Sequence, residues 1–113
     1  MEGAELSVLV TGDTKMRQLN RAYRGLDKTT DVLSFAGAPG WDGPPVALGD
    51  VVISAPRALA QAAERGHTLA DEMLFLLAHG ILHLAGYDHE ATAAERRKME
   101  RAQDKLFALM KQP

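Results

Sequence analysis

The stretch from Met73 to Leu84 constrains this chain more than any other. Met73, Leu74, Phe75, Leu76, Leu77, Ala78, Ile81, Leu82 and Leu84 leave almost no polar face for a helix. A helix that is apolar nearly all round has to lie at the centre of a fold, covered on several sides. Thr68-Leu69-Ala70-Asp71 has the form of a capping box that would open it. Two histidines, His79 and His83, sit inside this apolar run. As i, i+4 neighbours they point from one helix face, with Cβ atoms roughly 5–6 Å apart. Buried imidazoles need polar partners, and one metal ion would satisfy both rings at roughly 2.0–2.1 Å. Gly86 then offers the left-handed position that commonly ends a helix, and the reversed chain can bring His89 back toward the pair. The pattern is His79-x3-His83-x2-Gly86-x2-His89. It describes three nitrogen ligands and an open fourth position, the arrangement of a catalytic rather than a structural zinc. A lone histidine on such a helix is more often a hydrogen-bonded core residue, but three at this spacing favour a metal.

The chain contains no cysteine, which excludes disulfides, thiolate nucleophiles and Cys-rich zinc sites together. Any metal is therefore held by nitrogen and oxygen. Zinc bound by three neutral histidines keeps its full charge and favours an anionic ligand, for which a phosphodiester is a natural substrate. Gly80 is the oddity of the helix, since an interior glycine costs about 1 kcal/mol relative to alanine. In His-Glu-x-x-His metalloproteases this position carries the general base. The expectation is that Gly80 leaves room beside the metal for a substrate group, with close helix packing as the plainer alternative. Asp88 is expected to orient a ligand histidine or to cap the following turn rather than to bind the metal.

With 113 residues the chain makes one domain, expected to span residues 1–113. Glu5 to Thr11 alternates as a strand does. Asp13 is expected to N-cap a helix running to about Arg24, with Met16, Leu19, Asn20 and Tyr23 on its inner face and Gly25 stopping it. Asp31–Phe35 and Asp50–Ser54 read as further strands, separated by a loop over Ala36–Leu48 that holds three glycines, three prolines and the only tryptophan. Pro56 suits the first turn of a helix ending near Arg65. Thr92 with Glu95 caps a last helix whose stripe is Met99, Ala102, Leu106, Leu109 and Met110. The fold class is α/β of the α+β type: a short mixed sheet of about three strands, packed by helices, with the histidine helix in the middle.

A net charge of −2 excludes the global basic footprint of many nucleic-acid binders, so any such role rests on a local patch. Lys15, Arg17, Arg21, Arg24 and Lys28 make that patch. Arg24 stands apart because it closes its helix just before Gly25, where its planar fork could face a cleft and grip a phosphate through two hydrogen bonds.

Leu19-Asn20, Tyr23-Arg24-Gly25, Thr30-Asp31-Val32-Leu33-Ser34-Phe35, Leu48-Gly49-Asp50 and His79-Gly80-x-x-His83-x-x-Gly86-Tyr87-Asp88-His89 together resemble the YbeY family. The resemblance runs from about Leu6 into the last helix. It implies a zinc-dependent, single-strand-specific endoribonuclease acting in rRNA processing (16S rRNA 3′ end maturation) and ribosome quality control. It further implies His79, His83 and His89 as ligands of one Zn2+ ion, Arg24 as the functionally important arginine, and RNA and the ribosome or its proteins as partners. Members are expected to carry a further strand and helix before the segment matching Glu5–Thr11. This chain begins almost at that segment, so either the sheet is short by an edge strand or Met1 is not the natural start.

Two other readings compete. A metzincin-like protease matches the spacing but lacks the glutamate base. A non-catalytic, ribosome-associated factor with structural zinc would need a fourth protein ligand, for which Asp88 and Glu90 are nearest. The acidic start is unlike a signal peptide and the apolar run Met73–Ala78 is too short to span a bilayer, so a cytoplasmic location is expected. The sequence does not specify an oligomeric state.

Overall fold

The computed structural model describes residues 5–36, 47–86 and 92–112. Its elements are β1 (Glu5–Thr11), α1 (Asp13–Arg24), β2 (Val32–Ala36), β3 (Ala47–Ser54), α2 (Ala55–Arg65), α3 (Leu69–Leu84) and α4 (Ala93–Met110). The architecture is α+β, as expected, with four helices and a three-stranded mixed sheet among the described residues. Strand order is β1-β3-β2. β3 runs parallel to β1 and antiparallel to β2.

Register sorts the side chains into two layers. Val32 pairs with Ile53 and Ser34 with Val51, so these residues share one face. There Val51, Ile53, Ala58 and Leu76 form a buried cluster, flanked by Leu6, Val32, Met73, Leu77 and Leu84. Leu33 pairs with Val52 on the opposite face, where Met16 of α1 closes a second cluster with Leu19 and Phe35 beside it. Both faces of β3 are thereby covered, and Val51, Val52 and Ile53 are all buried. Each such side chain contributes roughly 1.5–3 kcal/mol relative to exposure. α3 lies between the sheet on one side and α2 and α4 on the others, the central position that its composition required.

Polar contacts brace the start of α3. Thr68 caps it, its hydroxyl accepting from the Asp71 amide at 3.1 Å. Glu72 is fully buried, with Arg65 Nε at 3.3 Å and His67 Nδ1 at 3.0 Å. A charge at this depth is tolerable because it is paired. Thr92 caps α4 in the same way as Thr68 caps α3, accepting from the Glu95 amide at 3.0 Å.

Four expectations are corrected. The N-cap of α1 is Gly12, not Asp13. Asp13 is the first helical residue, and its carboxylate accepts from Ser54 Oγ at 2.8 Å and Thr29 Oγ1 at 3.1 Å, so tertiary partners have taken the oxygen that a cap would use. Tyr23 is not an inner-face residue: it is 69% exposed and touches the sheet only edge-on, its ring 5.0 Å from that of Phe35. Leu109 is also exposed, while its neighbours Phe107 and Lys111 meet α3, at Phe75 and Asp71. β3 begins at Ala47 rather than Asp50, since pairing with Glu5 of β1 extends it. Of the expected loop, residues 37–46 lie outside the described residues.

Candidate metal centre

The last two turns of α3 carry His79 and His83 on one face, and their rings converge. The two Nε2 atoms are 3.0 Å apart and the ring centroids 4.6 Å apart, at 65°. Two tetrahedral ligands of one zinc at its usual bond length would stand about 3.3 Å apart, so little movement separates this pair from a chelating one. Gly86 follows at φ +99°, a conformation that favours glycine, and its amide donates to the His83 carbonyl at 3.1 Å. His89, the third expected ligand, and Asp88 and Glu90 lie outside the described residues. Among the described residues there is no group of three potential ligands. The donor set nonetheless fits zinc: two imidazole nitrogens aimed at a common point, with space in front of them.

That space is a cleft of about 540 Å³ lined by Arg24, by residues 30–34, and by Ala36, His79, His83 and Leu84. Three separate elements meet there. α1 ends at Gly25, whose φ of 71° stops the helix while its amide donates to the Arg21 carbonyl at 3.1 Å, and this places Arg24 at the rim. Buried Asn20 then ties the following segment down, its amide donating to the Lys28 carbonyl at 2.8 Å. Asp31 anchors the floor. Its Oδ1 accepts from the Val32 amide at 2.8 Å, its Oδ2 from Gln61 Nε2 at 3.2 Å, and its carbonyl from the Ser54 amide at 2.9 Å.

α3 approaches β2 and β3 closely because of Gly80. A Cβ at this position would stand 2.7 Å from Val51 Cγ1 and 3.0 Å from Ser34 Oγ, and Ser34 Oγ donates to the Gly80 carbonyl at 3.0 Å. The expectation of substrate room at Gly80 is therefore overturned. Its missing side chain is taken up by the sheet, and the plainer alternative of close packing holds.

Of the basic patch, Arg17 is committed elsewhere. It forms a two-pronged pair with Asp27 at 2.8 and 3.1 Å, which holds the Asp27 carboxyl below its ordinary range and raises the guanidinium further, first through the hydrogen bond and then through charge. Among the described residues lining the cleft, Arg24 is the only lysine or arginine. The arginine and the two histidines, remote in sequence, line one cavity.

Sequence reading passed over Asp31, Ser34, Gln61 and Gln103 as parts of this region. Gln103 is buried on α4 and its Oε1 lies 3.4 Å from His79 Nδ1. Its signal was present in the chain: an amide between Met99 and Leu106 interrupts the apolar stripe of α4, and a buried amide needs a partner. No helix among the described residues is long and apolar enough to cross a membrane.

Comparison with known proteins shows the family. The family model described as Endoribonuclease YbeY matches residues 1–111. A protein of that name from Chloroflexus aurantiacus is 44% identical over 119 residues, which cover 99% of this chain and 77% of the relative. One from Moorella thermoacetica is 49% identical over 113 residues, covering 93% and 72%. A Thermotoga maritima protein whose structure was determined in solution superposes with a TM-score of 0.61 at 32% identity, covering 92% of this chain and 66% of that one. Motif, fold and overall identity converge, and the chain belongs to the endoribonuclease YbeY family.

Proposed function

We propose that this protein is a zinc-dependent endoribonuclease that cuts single-stranded RNA during rRNA processing, including maturation of the 16S rRNA 3′ end and ribosome quality control, in the cytoplasm and in contact with the ribosome. His79, His83 and His89 hold the metal and Arg24 acts on the scissile phosphate. The observation that carries this reading is the shared cleft, with Arg24 on one wall and the converging imidazoles on another. Family membership supports the reaction and the substrate.

The roles follow from the donor chemistry. When bound, zinc supplies a concentrated positive charge and lowers the pKa of a coordinated water toward about 7. Arg24 offers a planar, positively charged fork that matches two phosphate oxygens. It orients the phosphodiester in the cleft and stabilises the charge that builds on it during bond breaking.

Gly80 weighs against the protease alternative, because a glutamate at that position would drive its Cβ into Val51. The test is cleavage of purified rRNA by the wild-type protein, with and without chelator, beside His83→Ala and Arg24→Ala. Chelation and His83→Ala abolish cutting, while Arg24→Ala slows it by about 10²–10³-fold and leaves bound zinc in place. Cleavage that survives all three treatments overturns the proposal. Casein hydrolysis lost on chelation would restore the protease, and four protein ligands without water would favour the non-catalytic factor.

A further inference from the structure

We propose that Gln103 is a positioning residue that fixes the tautomer and ring orientation of His79, so that Nε2 rather than Nδ1 is presented to the metal. The proposal rests on the reading of His79 as a ligand and deepens it. Gln103 is 7% exposed, and its two amide atoms have different neighbours. Nε2 donates to the Phe75 carbonyl at 3.3 Å, and Oε1 lies 3.4 Å from His79 Nδ1.

A backbone carbonyl can accept but never donate, so the nitrogen of the Gln103 amide has to face Phe75. Its oxygen then faces His79, and since that oxygen can only accept, Nδ1 carries the proton. A neutral imidazole has one N–H and one lone pair, which leaves the lone pair on Nε2, the atom that points at His83. The helix backbone thus dictates the tautomer of one of its own side chains through a residue on a different helix. His79 is thereby preset to coordinate through Nε2.

The experiment has two arms. In the first, long-range nitrogen-15 correlation spectra of the metal-free wild-type protein near neutral pH report the tautomer directly. The Nδ1–H form at His79 is expected, and the Nε2–H form overturns the proposal. In the second, zinc affinity is measured by competition with a chromophoric chelator. Gln103→Met removes the acceptor at similar volume and weakens binding by about 10–100-fold. Gln103→Glu keeps an acceptor for Nδ1–H and stays within ~3-fold of wild type. Zinc binding by Gln103→Met equal to wild type overturns the proposal. If Gln103→Met does not fold, the spectra of the unaltered protein decide alone. If the wild-type protein binds no zinc, the metal reading falls and takes the affinity claim with it, while the tautomer at His79 is still decided by the spectra.

Discussion

Two strands flank β3, and they are finished in different ways. On the β2 side, α3 closes onto the sheet near enough to exclude a methyl group at Gly80, and polar bonds stitch across elements: Ser34 to Gly80, Gln61 to Asp31, Asp31 to Ser54. On the β1 side, seven residues pair with β3, yet Val8, Leu9 and Val10 are each 45–49% exposed. β1 therefore holds by backbone bonding and half-buried apolar contact. The difference separates two tasks. A strand can be kept in place by its ladder alone, whereas a cleft that holds reactive groups in register needs its walls fixed by side chains from several elements.

Substitutions at the contact faces test that contrast. Gly80→Val should have the largest effect, on the order of 3 kcal/mol of lost stability in denaturant titration, because a branched side chain has no space before Val51. Gly80→Ala is the sharper variant. In an ordinary helix it would stabilise by about 1 kcal/mol, and here it should destabilise. Combined with Val51→Ala it should cost less than the sum of the two changes, since the second removes the atom that the new methyl meets. A stabilising Gly80→Ala would mean that α3 can lift from the sheet, and the contrast would lose its basis.

Val8 and Val51 are register partners, the same residue type in the same sheet, but one is 46% exposed and the other 0%. Val51→Ala should cost about 2–3 kcal/mol from lost transfer energy and the cavity left behind, and Val8→Ala under about 1 kcal/mol. Equal losses would show that β1 is covered in solution and that the two sides are alike.

The smallest effect belongs to the surface pair Arg17–Asp27. The carboxyl pKa is lowered in the folded chain from its ordinary 3.8. Its contribution is therefore present above that value and disappears as pH falls through the depressed folded one. Both partners are more than half exposed, so screening keeps the contribution slight. Asp27→Asn should lower neutral-pH stability slightly, flatten the acid limb of the stability curve by the same small amount, and leave cleavage unchanged. A clear loss of cleavage would place this pair in the working surface of the cleft.

What could be read from the chain divides along the range of the interaction. Thr68 and Thr92 cap as their positions imply, because a cap involves residues three apart. The i, i+4 histidines converge for the same local reason. Asp13 defeated the local rule: Ser54 and Thr29, brought beside it only by the folded sheet, took its carboxylate. Gly80 was misjudged because the atom that fills its space, Val51 Cγ1, belongs to a distant strand. Arg24 was placed correctly at a helix end, but only the fold could say that its cleft is the one the histidines face. Gln103 announced itself as an amide in an apolar stripe, yet its partner could not be named without knowing how α4 crosses α3.

The burial of α3 sets different clocks for different parts of the cleft. A helix enclosed by a sheet and two helices belongs to the part of a fold that opens least readily, and His79 and His83 ride on its last two turns. Arg24 closes an exposed helix turn that can fray by itself. The cleft pairs a nitrogen cluster that persists for as long as the protein stays folded with a cation free to reorient on the timescale of surface side chains.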